Sequence, residues 1–448
     1  MAALTDQKLL SLLRAEGPQS PASLTSRLGL SQPTLFRSAK AQQKSIIALG
    51  GPRNRKLAAL RSVRALGTST PVFRISSDGD ILPVGNMFAL FPSSSVLVAE
   101  AAPSKPEFFS GLPFFLDDIR PQGFLGRAFG QKHSELQLPA RITDWNNDDI
   151  LEAISRRGED LSGNLLVGAE SFERYQSLRH ETLTPVDANH PEKQYVANAK
   201  AAHDGQPAGS SVAGEQPKFG AALIYSDGTI KKVLVKYSPS GATFAAQRWR
   251  DLLVCESIAL EILRKHHIAA AESRIIVAGE RTFLETIRFD RVGDYGRKGV
   301  LSLGALENEW TGGSSNWAGS ADLLAHEKKI TAADLKTIRL LESFGRLIAN
   351  SDRHPGNLSF FWEPGDTKAT LAPIYDMLPM LYAPTTTGED AGRTFTLPSY
   401  DHTLLSVWKD ALSIAISYWE KVRQDLRLSD EFKKIAAQNL RILQQEDR

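Results

Sequence analysis

Cysteine is almost absent from this chain, and long apolar runs are missing altogether. Its 448 residues include one cysteine, Cys255, which excludes an intrachain disulfide and a thiolate metal cluster. We expect Cys255 to pack in the core of a helix. No apolar run of about 18 residues is present to cross a bilayer, and the N-terminus has no charged-then-apolar signal pattern. These absences predict a cytoplasmic protein.

Acidic residues are scarce at the N-terminus, where residues 1–66 contain only Asp6 and Glu16. The whole chain has a net charge of only +2, so this bias is local. It predicts a polyanionic partner for the first domain. The lysines and arginines that create the bias are Lys8, Arg14, Arg27, Arg37, Lys40, Lys44, Arg53, Arg55, Lys56, Arg61 and Arg64.

Helix-start signals follow a first leucine-rich helix that is halted at Gly17. Ser20 followed by Pro21, and Ser31 followed closely by Pro33, are N-cap and first-turn signals, and Gly29 separates the two short helices. This order is typical of a helix-turn-helix whose last helix enters the major groove. Its candidate contacts to base edges and phosphate are Gln32, Thr34, Arg37, Ser38 and Lys40.

A strand at residues 45–49 leads into a basic loop at residues 50–56, which we interpret as a flexible wing. Its Arg53 and Arg55 are predicted to reach the DNA backbone or the minor groove. Residues 57–66 fit another helix or the returning strand. The alternative is a small helical bundle with a solvated basic face.

The middle of the chain predicts a small sheet-containing domain. Residues 72–86 alternate in polarity around an Asp78-Gly79 turn, and apolar strands continue to about residue 102. Aromatic residues crowd positions 108–129, where a packed core is favoured over a stacking surface for sugars or bases. A helix at 144–155 and a turn with a strand at 163–168 follow. Residues 186–210 lack apolar periodicity and are predicted to form a long mobile connection.

A glycine-bearing loop at residues 210–220 lies between that connection and two strands. The second strand carries Lys236, and loop N–H groups together with a lysine can hold phosphates. Alone, the segment fits a hairpin with an exposed lysine better. The next helix, at 249–263, contains Glu256, which would pair with Lys236 as in kinases or else face solvent. Residues 288–291 follow two further strands, where a linker would grip a nucleotide base.

The run Asn350-Ser351-Asp352-Arg353-His354-Pro355-Gly356-Asn357 carries the strongest chemical signal. It follows an apolar helix and precedes two predicted strands, the second of which spans 371–375 and ends at Asp376. A carboxylate to accept a hydroxyl proton, with an amide and a carboxylate to hold Mg²⁺, is the set that phosphoryl transfer requires. Asp352, Asn357 and Asp376 have the kinase order. The alternative is a turn rich in Asp and Asn.

Four segments of the chain together resemble the signature segments of HipA-type serine/threonine kinases, the toxins of bacterial toxin-antitoxin pairs. They are the loop at 211–218, Arg288-Phe289-Asp290-Arg291, the run 352–357 and Tyr375-Asp376. The match spans about residues 70–430. With its fused helix-turn-helix, the layout is most similar to the YjjJ branch. The resemblance implies an α+β, bilobal, protein-kinase-like fold and an ATP-dependent kinase that autophosphorylates Ser211, with Ser210 as the adjacent rival.

The resemblance also implies a set of site residues. Asp352 would be the base, Lys236 would hold the phosphates and His354 would line the site. Asn357 and Asp376 would bind Mg²⁺. The nucleotide-binding set would be Ala213, Gly214, Glu215, Gln216, Pro217, Lys218, Ile287, Arg288, Phe289 and Tyr375.

Four segments are predicted: a winged helix-turn-helix at 1–70, a sheet-containing subdomain at 71–185, an ATP-binding lobe at 186–290 and a helical lobe at 291–448. Double-stranded DNA is the expected partner of the first. HipA relatives modify aminoacyl-tRNA synthetases, and a separate antitoxin remains an open partner. Two alternatives stay open: a transcriptional regulator whose kinase fold senses nucleotide or serves as a scaffold, and a small-molecule phosphotransferase.

Overall fold

The computed structural model describes residues 2–180, 185–204, 216–314, 316–399 and 402–446. Internal contacts group the chain into two units. One consists of residues 1–121 and 134–181, and the other of residues 122–133 and 182–448. The first two predicted segments fall in the first unit, except for residues 122–133 and 182–185, and the last two fall in the second. No helix in the described part of the chain is long and apolar enough to span a membrane.

The N-terminal head packs helices against a short hairpin. Its elements are α1 (Ala2–Glu16), α2 (Pro21–Leu28), α3 (Gln32–Ala41), β1 (Ile46–Leu49) and β2 (Lys56–Ala59). The side chains of Ser20 and Ser31 cap α2 and α3 as predicted, and Gly29 ends α2 in the left-handed conformation. Leucines from the helices form the core. Of the two interpretations of residues 57–66, the returning strand is confirmed over residues 57–59, because β2 pairs antiparallel with β1, while residues 64–66 form a short 3-10 helix.

The rest of the first unit is built on an antiparallel sheet with the strand order β6-β5-β4-β3-β7. Phe115 is buried and meets Phe109 and Phe114 edge-on, which confirms a packed role for these aromatic residues. The elements are β3 (Ser69–Ile75), β4 (Ile81–Leu90), β5 (Ser94–Ala99), β6 (Glu107–Phe109), α4 (Phe114–Asp117), α6 (Asn147–Arg157), β7 (Leu165–Val167) and α7 (Ala169–His180).

The second unit begins with α5 (Gly123–Lys132) and continues with a sheet of strand order β11-β12-β10-β9-β8. The helix α9 begins at a Thr243 cap, earlier than predicted, and Cys255 is buried within it. The remaining elements here are β8 (Val186–Asp187), α8 (Glu192–Asp204), β9 (Lys218–Ile224), β10 (Ile230–Tyr237), α9 (Phe244–Lys265), β11 (Ser273–Ala278) and β12 (Arg281–Ile287).

The prediction of a mobile connection at 186–210 is wrong over much of its length, because residues 192–204 form α8. Tyr195 and Ala199, one helical turn apart, are fully buried against this sheet. The Tyr195 hydroxyl also donates to Glu285 at 2.6 Å. Alanine-rich composition hid the apolar stripe, although alanine favours helix.

The remainder of the second unit is mainly helical. The small sheet β15-β16-β17 lies beside the predicted catalytic run. Its elements are β13 (Arg291–Val292), β14 (Gly296–Arg297), β15 (Val300–Ser302), α10 (Leu303–Trp310), α11 (Trp317–His326), α12 (Ala332–Leu347), β16 (Ser359–Phe361), β17 (Thr370–Leu371), α13 (Leu405–Gln424) and α14 (Asp430–Glu446).

The predicted strand 371–375 is shorter in the structure. Pro373 has no N–H to donate, so pairing with β16 stops before it. The chain then pairs with residues 269–271, where Ile374 N donates to Ala269 O at 3.0 Å. Asp376 follows in the left-handed conformation, with a φ of 53°.

Candidate active site

Lys236 and Glu256 form a buried ion pair. Lys236 lies on β10 between β9 and β12, and Glu256 lies in the middle of α9. The Lys236 Nζ donates to both Glu256 carboxylate oxygens at 2.7 Å. Both side chains are nearly inaccessible to solvent. The alternatives of a hairpin with an exposed lysine and of a solvent-facing Glu256 are therefore wrong.

Asp376 completes this cluster from the other side. Its Oδ1 accepts from Lys236 Nζ at 2.5 Å. Burial alone would lower the pKa of Lys236, but the charges of Asp376 and Glu256 outweigh it and raise that pKa. Burial opposes ionisation of Asp376 as well, yet Lys236 and Lys218 hold the pKa of Asp376 below its ordinary value. Asp376 is therefore an ionised carboxylate at neutral pH.

The turn after α12 brings Asp352 and Asn357 next to Asp376. The Asn350 side chain accepts from the Asp352 N–H at 3.0 Å, and its Nδ2 donates to the Asp376 carbonyl at 3.4 Å. Asn357 Nδ2 donates to the Asp352 carbonyl at 2.9 Å. Asp352, Asn357 and Asp376, which are predicted to orient the hydroxyl and the metal, are thus linked by hydrogen bonds that run through Asn350. Asn350 itself was not assigned a role from the sequence.

Arg353 anchors this turn beneath α12. Its Nε donates to Glu342 at 3.3 Å, and Glu342 also accepts from Arg346 at 2.8 Å. A Cβ placed on Gly345 would lie 2.6 Å from Arg353 Cδ, so the helix needs glycine where the arginine crosses it. The sequence signals were an acid and a glycine inside an apolar helix, and neither was recognised.

His354 lies on this turn, and Tyr375, from the segment after β17, contacts the turn through its hydroxyl. The His354 carbonyl accepts from Trp317 Nε1 at 3.0 Å, and its exposed ring accepts from the Gly356 N–H at 3.1 Å. Burial raises the pKa of Asp376, and His354 adds, after Lys236 and Lys218, to the charges that lower it. The Tyr375 hydroxyl lies 2.6 Å from Ser359 Oγ and donates to the Gly356 carbonyl at 3.1 Å.

The linker after β12 carries the residues predicted to hold the adenine. Phe289 meets Tyr375 with ring centres 5.9 Å apart, so the linker lies beside the residue whose hydroxyl contacts the turn at Gly356. The N–H groups of Ile287 and Arg288 donate to Glu272 and Lys232 at 2.9 Å. Those two donors are thus engaged with protein carbonyls.

The predicted phosphate loop lies partly outside the described residues. Ser210, Ser211, Ala213, Gly214 and Glu215 belong to the part that is not described.

The described end of that loop is fixed to β10. Gln216 Nε2 donates to the Tyr237 carbonyl at 2.5 Å, and the Pro217 carbonyl accepts from the Tyr237 N–H at 3.0 Å. Lys218 pairs in register with Lys236. Two lysines thus lie next to each other near Asp376.

The donor set fits Mg²⁺ held together with nucleotide phosphates. Among the described residues no group of three or more His, Cys, Asp or Glu side chains could hold a metal. Mg²⁺ commonly uses one or two protein oxygens and completes its shell with phosphates and water. The ionised Asp376 and the amide oxygen of Asn357 provide such a pair.

The predicted DNA-contacting residues have unequal exposure. Gln32, Arg37 and Lys40 are exposed on α3, and Arg53 is exposed in the loop. Thr34 is half-buried, with its hydroxyl 2.9 Å from that of Ser31. Ser38 does not fit the prediction, because it is buried on the inner face of α3 and its hydroxyl donates to Asp6.

The Arg55 guanidinium lies 5.8 Å from the centre of the Phe36 ring. The structure corrects two parts of the sequence interpretation, the size of the N-terminal charge excess and the freedom of the loop at 50–56. The N-terminal charge excess is smaller than the count suggested, since Arg27, Arg61 and Arg64 form ion pairs with Glu16, Asp148 and Asp149. The loop at 50–56 is not a free arm, because Gly51 N donates to the Ser104 carbonyl at 3.2 Å.

Comparison with known proteins gives two family matches and a curated relative. Residues 66–176 match the family of the YjjJ-like toxin middle domain, and residues 210–445 match the HipA-like C-terminal domain. Toxin YjjJ of Escherichia coli K12 is 36% identical over 438 residues, which cover 97% of this chain and 96% of that relative.

Two solved structures are similar to this chain at low sequence identity. The HipA of Shewanella oneidensis, solved with HipB and operator DNA, is 16% identical with a TM-score of 0.49, covering 83% of this chain and 95% of its own. The Helicobacter pylori proinflammatory kinase CtkA is 15% identical with a TM-score of 0.35, covering 50% of this chain and 90% of its own. On the family matches and the identity to Toxin YjjJ, the chain belongs to the HipA-like toxin family, in the branch that contains YjjJ.

Proposed function

We propose that this protein is an ATP- and Mg²⁺-dependent serine/threonine protein kinase of the HipA toxin type that acts in the cytoplasm. The observation that carries the proposal is the cluster of Lys236, Glu256 and Asp376, joined through Asn350 to Asp352 and Asn357. A protein that only scaffolds has no need for this convergence, because burying a lysine and two carboxylates costs free energy.

Each side chain has a distinct role in the proposed reaction. Asp352 is exposed at the tip of the turn, where its carboxylate accepts the proton of the attacking hydroxyl. A bond forms between that oxygen and the γ-phosphorus as the bond to the ADP oxygen breaks. Lys236 would steady the phosphates, and Asn357 and Asp376 would hold Mg²⁺, which would supply positive charge to the triphosphate. His354 and Tyr375 line the site.

The remaining nucleotide contacts follow the family pattern. Residues 213–218 cover the triphosphate, and residues 287–289 hold the adenine. The contact between Phe289 and Tyr375 supports the latter, because it puts the linker beside the residue whose hydroxyl contacts the turn at Gly356.

Ser211 is the proposed autophosphorylation site. A phosphate there adds nearly two negative charges next to the phosphate-binding loop and repels the triphosphate, which makes the kinase self-limiting. Intact-mass measurement after incubation with ATP should find one phosphate on the wild type and none on Ser211→Ala. A Ser210→Ala variant that loses the phosphate instead would move the site by one residue.

The test of the enzyme proposal is phosphate transfer by the wild type and by Asp352→Asn. The variant should bind ATP and transfer no label. Equal labelling of both proteins would eliminate Asp352 as the base. Phosphoproteomics of cells that express either form would identify the substrates, with aminoacyl-tRNA synthetases as the first candidates because HipA relatives modify them.

We further propose that the head binds double-stranded DNA, so that the protein regulates its own expression with or without an antitoxin. Support comes from two capped helices joined at Gly29 and from exposed cations on α3 and the hairpin loop. The alternative from another class is a DNA-binding regulator whose kinase fold senses nucleotide. ATP binding without phosphate transfer by the wild type would favour it.

A further inference from the structure

The hairpin of the head is joined to the middle sheet by main-chain hydrogen bonds. Phe91 N donates to the Ala59 carbonyl at 3.0 Å, and Arg61 N donates to the Ala89 carbonyl at 2.9 Å. Leu60 and Leu90 form an antiparallel bridge between these bonds. The end of β2 is therefore hydrogen-bonded directly to the end of β4.

The tip of the hairpin is fastened to the same sheet by a turn between β5 and β6. The Ser104 carbonyl accepts from Gly51 N and from Asn54 Nδ2, both at 3.2 Å. Farther back, the Lys56 ammonium lies 4.5 Å from the centre of the Phe108 ring. Both ends of the loop are thus attached to the β5-β6 region.

An apolar cluster fills the space between hairpin and sheet. Leu49 and Ala58 from the hairpin are buried together with Leu90 and Val96 from the sheet. The segment that leaves β2 is also fixed, because Arg61 and Arg64 pair with Asp148 and Asp149 at the start of α6. Burial of this kind makes independent movement of the head costly.

This attachment places a cation of the middle sheet beside the hairpin loop. Lys105 follows Ser104 and is exposed, as is Arg53 in the loop. Within the described residues neither side chain has an ion-pair partner. Because Ser104 bonds to residues on both sides of Arg53, the two cations belong to one continuous surface.

We propose that the hairpin contacts DNA while docked on the middle sheet, and that Lys105 contributes a phosphate contact next to Arg53. The inference rests on the proposed DNA binding of the head and assigns the middle segment a part in it. The sheet holds the hairpin, and α3 packs on that hairpin in the core of the head, so that one duplex can meet both.

A disulfide can test the docked position directly. A Cβ on Gly51 would lie 3.5 Å from Ser104 Cβ, within the range of about 3.5–4.5 Å that a disulfide requires. Cys255 is buried and will not compete. The full-length Gly51→Cys/Ser104→Cys protein should cross-link, and the oxidised form should bind duplexes selected by the wild type from a random pool as well as the reduced form does. Binding that is lost on oxidation and restored by reductant would overturn the proposal.

Salt dependence tests Lys105. Lys105→Ala should lower the slope of log affinity against log salt by about one, as the loss of one phosphate contact predicts. Lys336→Ala removes the same charge from α12 in the other unit and should leave the slope unchanged. Equal slopes for Lys105→Ala and the wild type would remove Lys105 from the interface.

Failure of the proposed DNA binding and failure of the proposed docked hairpin give different results. If the wild type selects no duplex while the cysteine pair cross-links, the head is docked and its DNA binding is wrong. If the wild type selects duplexes and the pair does not cross-link, the DNA binding stands and the docked hairpin is wrong.

Discussion

The ammonium group of Lys236 contacts the carboxylate of Asp376 at 2.5 Å, although the two residues are 140 positions apart in the chain. The same ammonium binds Glu256, so one cation holds two acids in a buried place. Removal of the cation would leave those acids without a counter-charge. Breaking a buried ion pair from one side typically costs about 3–5 kcal/mol.

We therefore expect Lys236→Met to abolish phosphate transfer and to lower the free energy of unfolding, measured by urea denaturation. Adding Glu256→Gln should restore much of the stability without restoring activity. Lys231→Met is the matched control on the same strand, because Lys231 pairs with Glu272 only at 3.9 Å near the surface. A Lys236→Met protein as stable as this control would contradict the buried cluster.

Gly345 provides a test of the catalytic turn from beneath. Gly345→Ala would place a methyl group 2.6 Å from Arg353 Cδ and displace the arginine next to Asp352. We expect kcat to fall at least about tenfold with little change in the KM for ATP, since misplacement of a catalytic group costs rate. Gly313→Ala is the control, because its Cβ would meet nothing nearer than Glu307 at 3.9 Å. Equal kcat values for both variants would show that Arg353 does not position the turn.

Glu307 should make stability depend on pH. Burial raises the pKa of this carboxyl to about 7 from its ordinary 4.5, although the Ser314 N–H opposes the rise. Because the folded state binds the Glu307 proton more tightly than the unfolded state, protonation contributes stability that is fully present below pH 4.5. This stability is lost as the pH rises through 7.

The stability of Glu307→Gln relative to the wild type should therefore be higher at pH 8 than at pH 4, by at least about 1 kcal/mol. Urea denaturation at both pH values measures the change. A stability difference that does not vary with pH would show that Glu307 ionises normally.

The head offers two substitutions with different expected signatures. Arg37→Ala on α3 should weaken binding to the selected duplex more than to unrelated DNA. Arg53→Ala in the hairpin loop should weaken binding to all duplexes alike, because phosphate contacts carry no base information. Electrophoretic mobility shifts with both kinds of duplex measure this. Shifts unaffected by either change would count against the winged helix-turn-helix.

Features that depend on order along the chain could be predicted. A strand lysine, a helical acid and the Asp352-to-Asn357 spacing occur in the kinase order, so the sequence offered the pairing of Lys236 with Glu256 as one of its interpretations, and the structure decides for it. The caps at Ser20 and Ser31 are local signals and were equally readable.

Features that depend on tertiary contact could not be predicted. Helix α8 is stabilised through the buried Tyr195, whose partner Glu285 lies 90 positions away and is shared with Arg274. The buried hydroxyl of Ser38 and the attachment of the hairpin loop to Ser104 likewise depend on residues distant in the sequence. The short strand before Asp376 reflects a change of partner that apolar patterning does not reveal.

The convergence of Asp376 and Lys236 around metal-bound ATP is tested most directly by calorimetric titration of ATP with and without Mg²⁺. Asp352→Asn is the reference protein, because it should bind nucleotide without turnover. Mg²⁺ should strengthen ATP binding to this protein, and the added Asp376→Asn substitution should remove that gain. An equal gain from Mg²⁺ in both proteins would contradict the account.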